Sequence, residues 1–269
     1  MPYHRPGTIF GNRLRKVFSL PGALTAILLF STCVGRAEDL SKLRAELDLK
    51  IQELAGVIVR EDISRYSAAG RSVRKIDDFN AVVEIVAGAE RYSDVERNGR
   101  RYERINQGIW SFGELATLLR ATRDSLNDCS PRTGTGIAED GSPFDLVTFH
   151  SPAGNRRWFA TTGSRVYWLE FDGEIRTSVL TGEILSVRWS SAALPSLTRI
   201  ERIVWSIEFR PVEIAGGIQV MPETAEYHVT YSGNGHRADW NIARFRDWRR
   251  YGSQVLVRFE ETPPDPLPK

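Results

Sequence analysis

Ile203-Val204-Trp205-Ser206-Ile207-Glu208-Phe209-Arg210 places Ile203, Trp205, Ile207 and Phe209 on one side of an extended chain. Ser206, Glu208 and Arg210 fall on the other. Successive strand side chains point to opposite faces, so this is a strand with one apolar and one polar face. The pattern recurs. Leu185, Val187 and Trp189 oppose Ser186 and Arg188. Ala225, Tyr227, Val229 and Tyr231 oppose Glu226, His228 and Thr230. Val255, Val257 and Phe259 oppose Arg258 and Glu260. Turn signals separate the runs at Asp172-Gly173, Thr181-Gly182, Gly216-Gly217 and Gly233-Asn234-Gly235.

Upstream, residues 63–105 read as an antiparallel meander. Ala87-Gly88 divides Ala81–Val86 from Ala89–Val95, and Asn98-Gly99 is a hairpin signal, since a tight hairpin turn needs positive φ. Arg97, Arg100, Arg101 and Arg104 ring this tip with Glu96 and Glu103 interleaved, a solvated arrangement. Two segments have helical rather than alternating periodicity. Over 39–60, Leu40, Leu43, Leu47, Ile51, Leu54 and Ile58 recur at steps of three and four, with a polar face of mixed charge. Ser111 and Glu114 form a capping box ahead of a stripe of Phe112, Leu115, Leu118, Leu119, Thr122 and Leu126. Residues 127–143, rich in Gly, Pro, Ser, Thr and Asp, read as a loop.

The apolar sheet face must be covered. Some ten strands at about 4.8 Å each span roughly 48 Å. Two helices roughly 10 Å across cover only about 20 Å of that. Arg165-Val166-Tyr167-Trp168-Leu169-Glu170-Phe171 carries apolar groups on both faces, which favours a sheet that curls. The expected fold is therefore α+β: a large curved antiparallel β-sheet, a half-barrel, with two covering α-helices. Its concave face is either core or a pocket for an apolar ligand. The candidate ligand contacts are Trp168, Trp189, Trp205, Phe209 and Tyr227.

This order of elements over 39–260 resembles the periplasmic lipoprotein-carrier (LolA-like) superfamily. The local matches are Val166-Tyr167-Trp168-Leu169, Thr181-Gly182-Glu183-Ile184-Leu185-Ser186-Val187, and Val212-Glu213-Ile214-Ala215-Gly216-Gly217 running into Met221-Pro222. Glu90-Arg91-Tyr92 through Trp110-Ser111-Phe112-Gly113-Glu114-Leu115 is similar to uncharacterised secreted proteins of soil bacteria. The resemblance implies a carrier or sensor of lipids or lipidated proteins, and assigns no ligand-binding residue.

Residues 1–37 explain the compartment expected. Arg13-Leu14-Arg15-Lys16 is a basic start, Phe18–Phe30 a short apolar core, and Gly35 with Ala37 a small-x-small cleavage site. The mature chain would begin at Glu38 or Asp39, in the periplasm or outside the cell. Lipid anchoring at Cys33 is the rival, though Phe30 and Thr32 stand where such signals carry other residues. A single α+β domain would occupy 38–261, with a Pro-rich tail at 262–269. Cleavage leaves Cys129 as the only thiol, so no internal disulfide forms.

The 269 residues are 41% hydrophobic and 26% charged, which excludes a disordered or multi-span chain. The whole chain carries +2, but the 36 basic residues less the five in residues 1–37 leave 31 against 34 acidic, a mature charge of −3. That argues against nucleic acid as a partner. The 31 Arg against 5 Lys are scattered rather than clustered, as base composition would leave them.

Motifs for chemistry are absent. His150, His228 and His236 have no metal-pair spacing. Ser72-Val73-Arg74-Lys75 fits S-x-x-K, but lies between Gly70 and a strand rather than at a helix start. The function expected is an exported non-enzymatic monomer, without cofactor or metal. It would bind an acyl chain, lipid or lipoprotein and make peripheral contact with the membrane. The alternative is an envelope structural protein with a filled core.

Overall fold

A computed structural model describes residues 37–102, 113–233 and 237–251. Helix α1 (Ala37–Leu54) leads into a meander of β1 (Val57–Ala69), β2 (Ser72–Val86), β3 (Ala89–Arg97) and β4 (Arg100–Arg101). Helix α2 (Ala116–Asp128) follows, then β5 (Arg132–Ile137), β6 (Pro143–Ser151), β7 (Phe159–Thr162), β8 (Arg165–Trp168) and β9 (Phe171–Ser178). The chain continues through β10 (Ile184–Ser191), β11 (Ile200–Ile214), β12 (Gly217–Tyr231) and β13 (Arg237–Arg250). Eleven strands form one sheet in the order β4-β3-β2-β1-β13-β12-β11-β10-β9-β6-β5. Strands β7 and β8 form a separate hairpin. The α+β expectation holds, and the sheet does not close into a barrel.

Its curvature follows from what α2 touches. This helix packs against both β3 and β6, which lie eight strand spacings apart. In a flat sheet that separation is about 38 Å. A helix of 13 residues is only about 20 Å long. Both contacts require the sheet to wrap around the helix. Side-chain ties hold α2 there. Arg120 donates to the Gly88 carbonyl in the β2–β3 turn at 2.6 Å, and Arg123 pairs with Asp48 on α1 at 2.8 Å. Arg44 on α1 donates to the Leu126 carbonyl at 2.9 Å. The buried stripe of Leu115, Leu118, Leu119 and Leu126 then meets Val83, Ile175, Val187 and Ile207 in the main core.

Several local expectations are corrected. Helix α1 ends at Leu54, not at residue 60, so Ile58 belongs to β1. Gly56, at φ +71°, takes the left-handed conformation that terminates a helix. The β-branched run Val57-Ile58-Val59 then favours a strand. Residues 127–143 include the edge strand β5 rather than a loop throughout. Gly136 serves its packing: a Cβ there would lie 2.3 Å from the Phe144 ring. Asp172-Gly173 is no turn but the interior of β9. A Cβ on Gly173 would meet the Phe149 ring at 2.1 Å, so this glycine admits an aromatic side chain. Leu185 is 38% exposed, because the β9–β10 register shifts between Ile184 and Ser186 and turns Ile184 inward instead.

Other expectations stand. Asn98 and Gly99 both have positive φ in the β3–β4 hairpin. The turn expected at Gly216-Gly217 falls one residue earlier: Ala215 and Gly216 take the positive φ, and Gly217 opens β12 opposite Ile214. Ser111, Phe112, Arg104 and His236, the strand expected around Val255–Phe259, and the segments 1–36 and 262–269 lie outside the described residues. No helix among the described residues is long and apolar enough to cross a membrane.

Candidate functional site

The strand register aligns one row of inward-facing positions across nearly the whole sheet. From β6 to β2 it reads Phe149, Gly173, Trp189, Trp205, Tyr227, Asn241, Arg65 and Asp77, each directly opposite the next. The row changes character midway. Its β6–β11 half is aromatic, Tyr227 and Asn241 are polar, and β1–β2 end in a buried ion pair. The concave face is thus amphiphilic along a line perpendicular to the strands.

The aromatic half is dense. Phe171 stacks on Trp189 at 4.2 Å between centroids. Trp189 meets Trp205 edge-on at 6.3 Å. Half-buried Trp158, from the segment before β7, sits against all three, 5.8 Å from Phe171, 5.4 Å from Trp189 and 6.0 Å from Trp205. Its neighbour Arg157 holds that segment to α2 through Asp128 and Asp124. Such aromatic contacts contribute about 0.5–1.5 kcal/mol each beyond area burial. Yet the indole Nε1 atoms of Trp189 and Trp205 are buried and have no hydrogen-bond partner among the described residues. Buried indole N–H groups ordinarily find an acceptor.

At the charged end, Arg65 donates two bonds of 2.6 Å to the Asp77 carboxylate, and Arg97 adds a third at 2.9 Å. Burial alone would raise the Asp77 carboxyl, but the hydrogen bonds and charges of Arg65 and Arg97 outweigh it and hold it below the ordinary range. Arg65 and Arg97 also lie over the Phe79 ring, at 4.8 and 5.7 Å. Tyr227, between the two regimes, has its phenol pushed up by burial.

A second buried polar group lies beside α2. Glu90 on β3 accepts from the backbone N–H of Leu115 and Thr117, at 3.1 and 3.4 Å, and so caps the helix from outside. The N-cap residue Leu115 makes no side-chain cap of its own, so the expected capping box is not the device at this helix start. Tyr92 donates to Glu90 at 3.1 Å. Glu61, 1% exposed, faces the same region with both carboxyl oxygens unpartnered among the described residues. Burial, then repulsion from Glu114 and Glu90, pushes its carboxyl well up.

Of the five aromatic candidates, the structure brings Trp189, Trp205 and Tyr227 into one row. Phe209 is inward and buried, but four residues further along β11, about 13 Å from Trp205. Trp168 is not on this face. It belongs to the separate β7–β8 hairpin and is 41% exposed. Among the described residues its strand pairs only with β7, so alternation within it says nothing about the large sheet. Trp158 and Phe171 complete the cluster and were not among the candidates. No periodicity surrounds Trp158; Phe171 could have been found as the inward end of the run 165–171.

Among the described residues, no group of three or more His, Cys, Asp or Glu is disposed to hold a metal ion. His150 pairs with Asp172 at 3.0 Å and His228 with Glu226 at 3.0 Å. A hollow of about 540 Å³ lies on the polar, outward face, lined in part by Arg132, His150, Asp172, Glu174 and Arg188. Burial and neighbouring Asp128 raise the thiol of Cys129, which disfavours the reactive thiolate.

No family model matches the chain, and no curated protein matches it. Among solved structures, it is similar to a DUF1329 family protein from Desulfovibrio piger, at 11% identity and a TM-score of 0.39. That similarity covers 83% of this chain and 98% of the other.

Proposed function

We propose that this is an exported, non-enzymatic protein of the LolA-like kind. It holds the apolar part of an amphiphile, an acyl chain, lipid or lipidated protein, on the concave face of its sheet. The carrying observation is that the indole N–H groups of Trp189 and Trp205, residues directly opposite each other on adjacent strands, have no partner among the described residues within an otherwise apolar cluster. An ester or carboxyl oxygen of a ligand would satisfy them, while its chain takes the place of Trp158, which is half-buried. The protein acts as a monomer, does not engage nucleic acid, and meets the membrane peripherally.

A fluorescent fatty-acid series tests the reading. Saturable binding that quenches or shifts Trp emission is expected. Each added CH₂ should tighten it by about 0.8 kcal/mol, roughly fourfold. Trp205→Ala should weaken binding where folding survives. A second reading, an envelope protein with a filled core, is favoured by the burial of Trp189, Trp205 and Phe209 at 1, 5 and 4% exposure. In that case no chain length binds, and Trp205→Ala costs only stability, about 3–5 kcal/mol.

A further inference from the structure

The β7–β8 hairpin has two unlike faces. Ala160 and Tyr167 pack inward on a small cluster of Leu169, Leu194, Ile203 and Val229. The outward face carries Phe159, Val166 and Trp168, exposed by 52, 54 and 41%. They form one patch, because Phe159 is directly opposite Trp168 and Thr161 opposite Val166. The Phe159 and Trp168 rings touch edge to face at 5.3 Å. A side chain that is large, apolar and exposed is unremarkable singly; three contiguous ones on a rigidly backed hairpin form a contact surface.

The charge around the patch selects the partner. Residues 152–168 hold Arg156, Arg157 and Arg165 and no acidic residue. Arg157 is committed to Asp124 and Asp128 of α2. Arg156 lies over the Trp168 ring at 5.9 Å, and Arg165 stands exposed at the start of β8. Trp and Phe at the level of lipid headgroups, flanked by guanidinium groups that make no ion pair among the described residues, is the composition of an interfacial anchor. Each cation near an anionic leaflet adds attraction that salt screens.

We propose that the outward face of the β7–β8 hairpin docks on an anionic lipid surface, with Phe159, Val166 and Trp168 entering the headgroup layer and Arg156 and Arg165 meeting phosphates. The proposal goes beyond the cargo reading and does not depend on it. The two meet in the chain, however: Trp158, against the concave cluster, immediately precedes Phe159 of the docking face.

Flotation of the purified protein with vesicles of phosphatidylglycerol and phosphatidylcholine, against vesicles of phosphatidylcholine alone, tests it. The parent should float with the anionic vesicles, less so at high salt. Phe159→Ser and Trp168→Ser should each weaken the association about tenfold, and Arg165→Gln should weaken it on anionic vesicles only. Thermal unfolding identifies variants that keep the fold, and Val166→Ser substitutes for any that does not. Failure of the parent to float, equal flotation with neutral vesicles, or undiminished flotation of the folded variants would overturn the proposal. So would a parent dimer in sedimentation velocity that Phe159→Ser dissolves, since a second copy would then own the patch. The fatty-acid titration, run without vesicles, reports on the cargo site separately, so either reading can fail alone.

Discussion

Replacing Glu61 by Gln should stabilise the protein at neutral pH and leave it unchanged in acid. Glu61 is 1% exposed, and neither carboxyl oxygen has a partner among the described residues. Its folded pKa lies well above the ordinary 4.5, first through burial and then through Glu114 and Glu90. The sign follows from linkage. A raised folded pKa means the unfolded chain releases the proton first, so stability is fully present below pH 4.5 and is lost as pH rises through the folded value. Each pH unit between the unfolded and the folded value costs about 1.4 kcal/mol. Gln keeps the shape and never ionises. Urea unfolding of parent and variant at pH 4, 5.5 and 7 should give curves that coincide at pH 4 and separate progressively, with Glu61→Gln ahead by about 1–3 kcal/mol at pH 7. Comparing the two at each pH cancels the opposing contribution of Asp77, which is lost as pH falls through a depressed value. A Gln variant that is weaker at pH 7, or a difference that does not vary with pH, refutes the reasoning, because Glu61 would then be a charged and compensated group.

Other outcomes are equally specific. Gly173→Ala should destabilise by about 1–3 kcal/mol through overpacking, since its Cβ meets the Phe149 ring at 2.1 Å; Phe149→Leu in the same chain should recover most of this, and a simple sum of the two losses would contradict the contact. Asp77→Ala should cost about 3–5 kcal/mol by stranding a buried guanidinium, as Arg65 is only 4% exposed; denaturant midpoints measure it, and a loss below about 1 kcal/mol would place that charge in contact with water. Mass spectrometry of the exported protein should find an N-terminus near Glu38; an acyl-modified peptide beginning at Cys33 would assign a lipid anchor instead.

The apolar face of β10, β11 and β12 was legible because alternation is a local property, and Trp189, Trp205 and Tyr227 follow from it directly. Register was not legible. That these three residues stand side by side, and continue into Asn241, Arg65 and Asp77, depends on pairings between distant strands. Glycine was the commonest source of error. Gly173 and Gly136 look like turn residues, yet each makes room for a phenylalanine ring on the adjacent strand. Gly56 acts by backbone conformation and was overlooked because Ile58 happened to continue the helical spacing. Trp168 failed for another reason: alternation sorts residues relative to their own sheet, and β8 belongs to a different one. The cap on α2 was hidden because Glu90 lies 25 residues from Leu115.

The pairing of β1 with β13 has a consequence for how the molecule assembles. The first and last described strands lie side by side in the interior of the sheet, where Val57 meets Arg250. Their separation of almost two hundred residues makes closure cost about 5 kcal/mol in chain entropy. A nascent chain emerging N-terminus first therefore holds two unfinished pieces, four strands ending at β1 and six ending at β12, whose facing edges have no partner until β13 arrives. β13 is the keystone of the arch. A chain cut short before it would present two open central edges, each a template for pairing with a neighbour, so the synthesis of β13 decides between a finished sheet and an aggregating one.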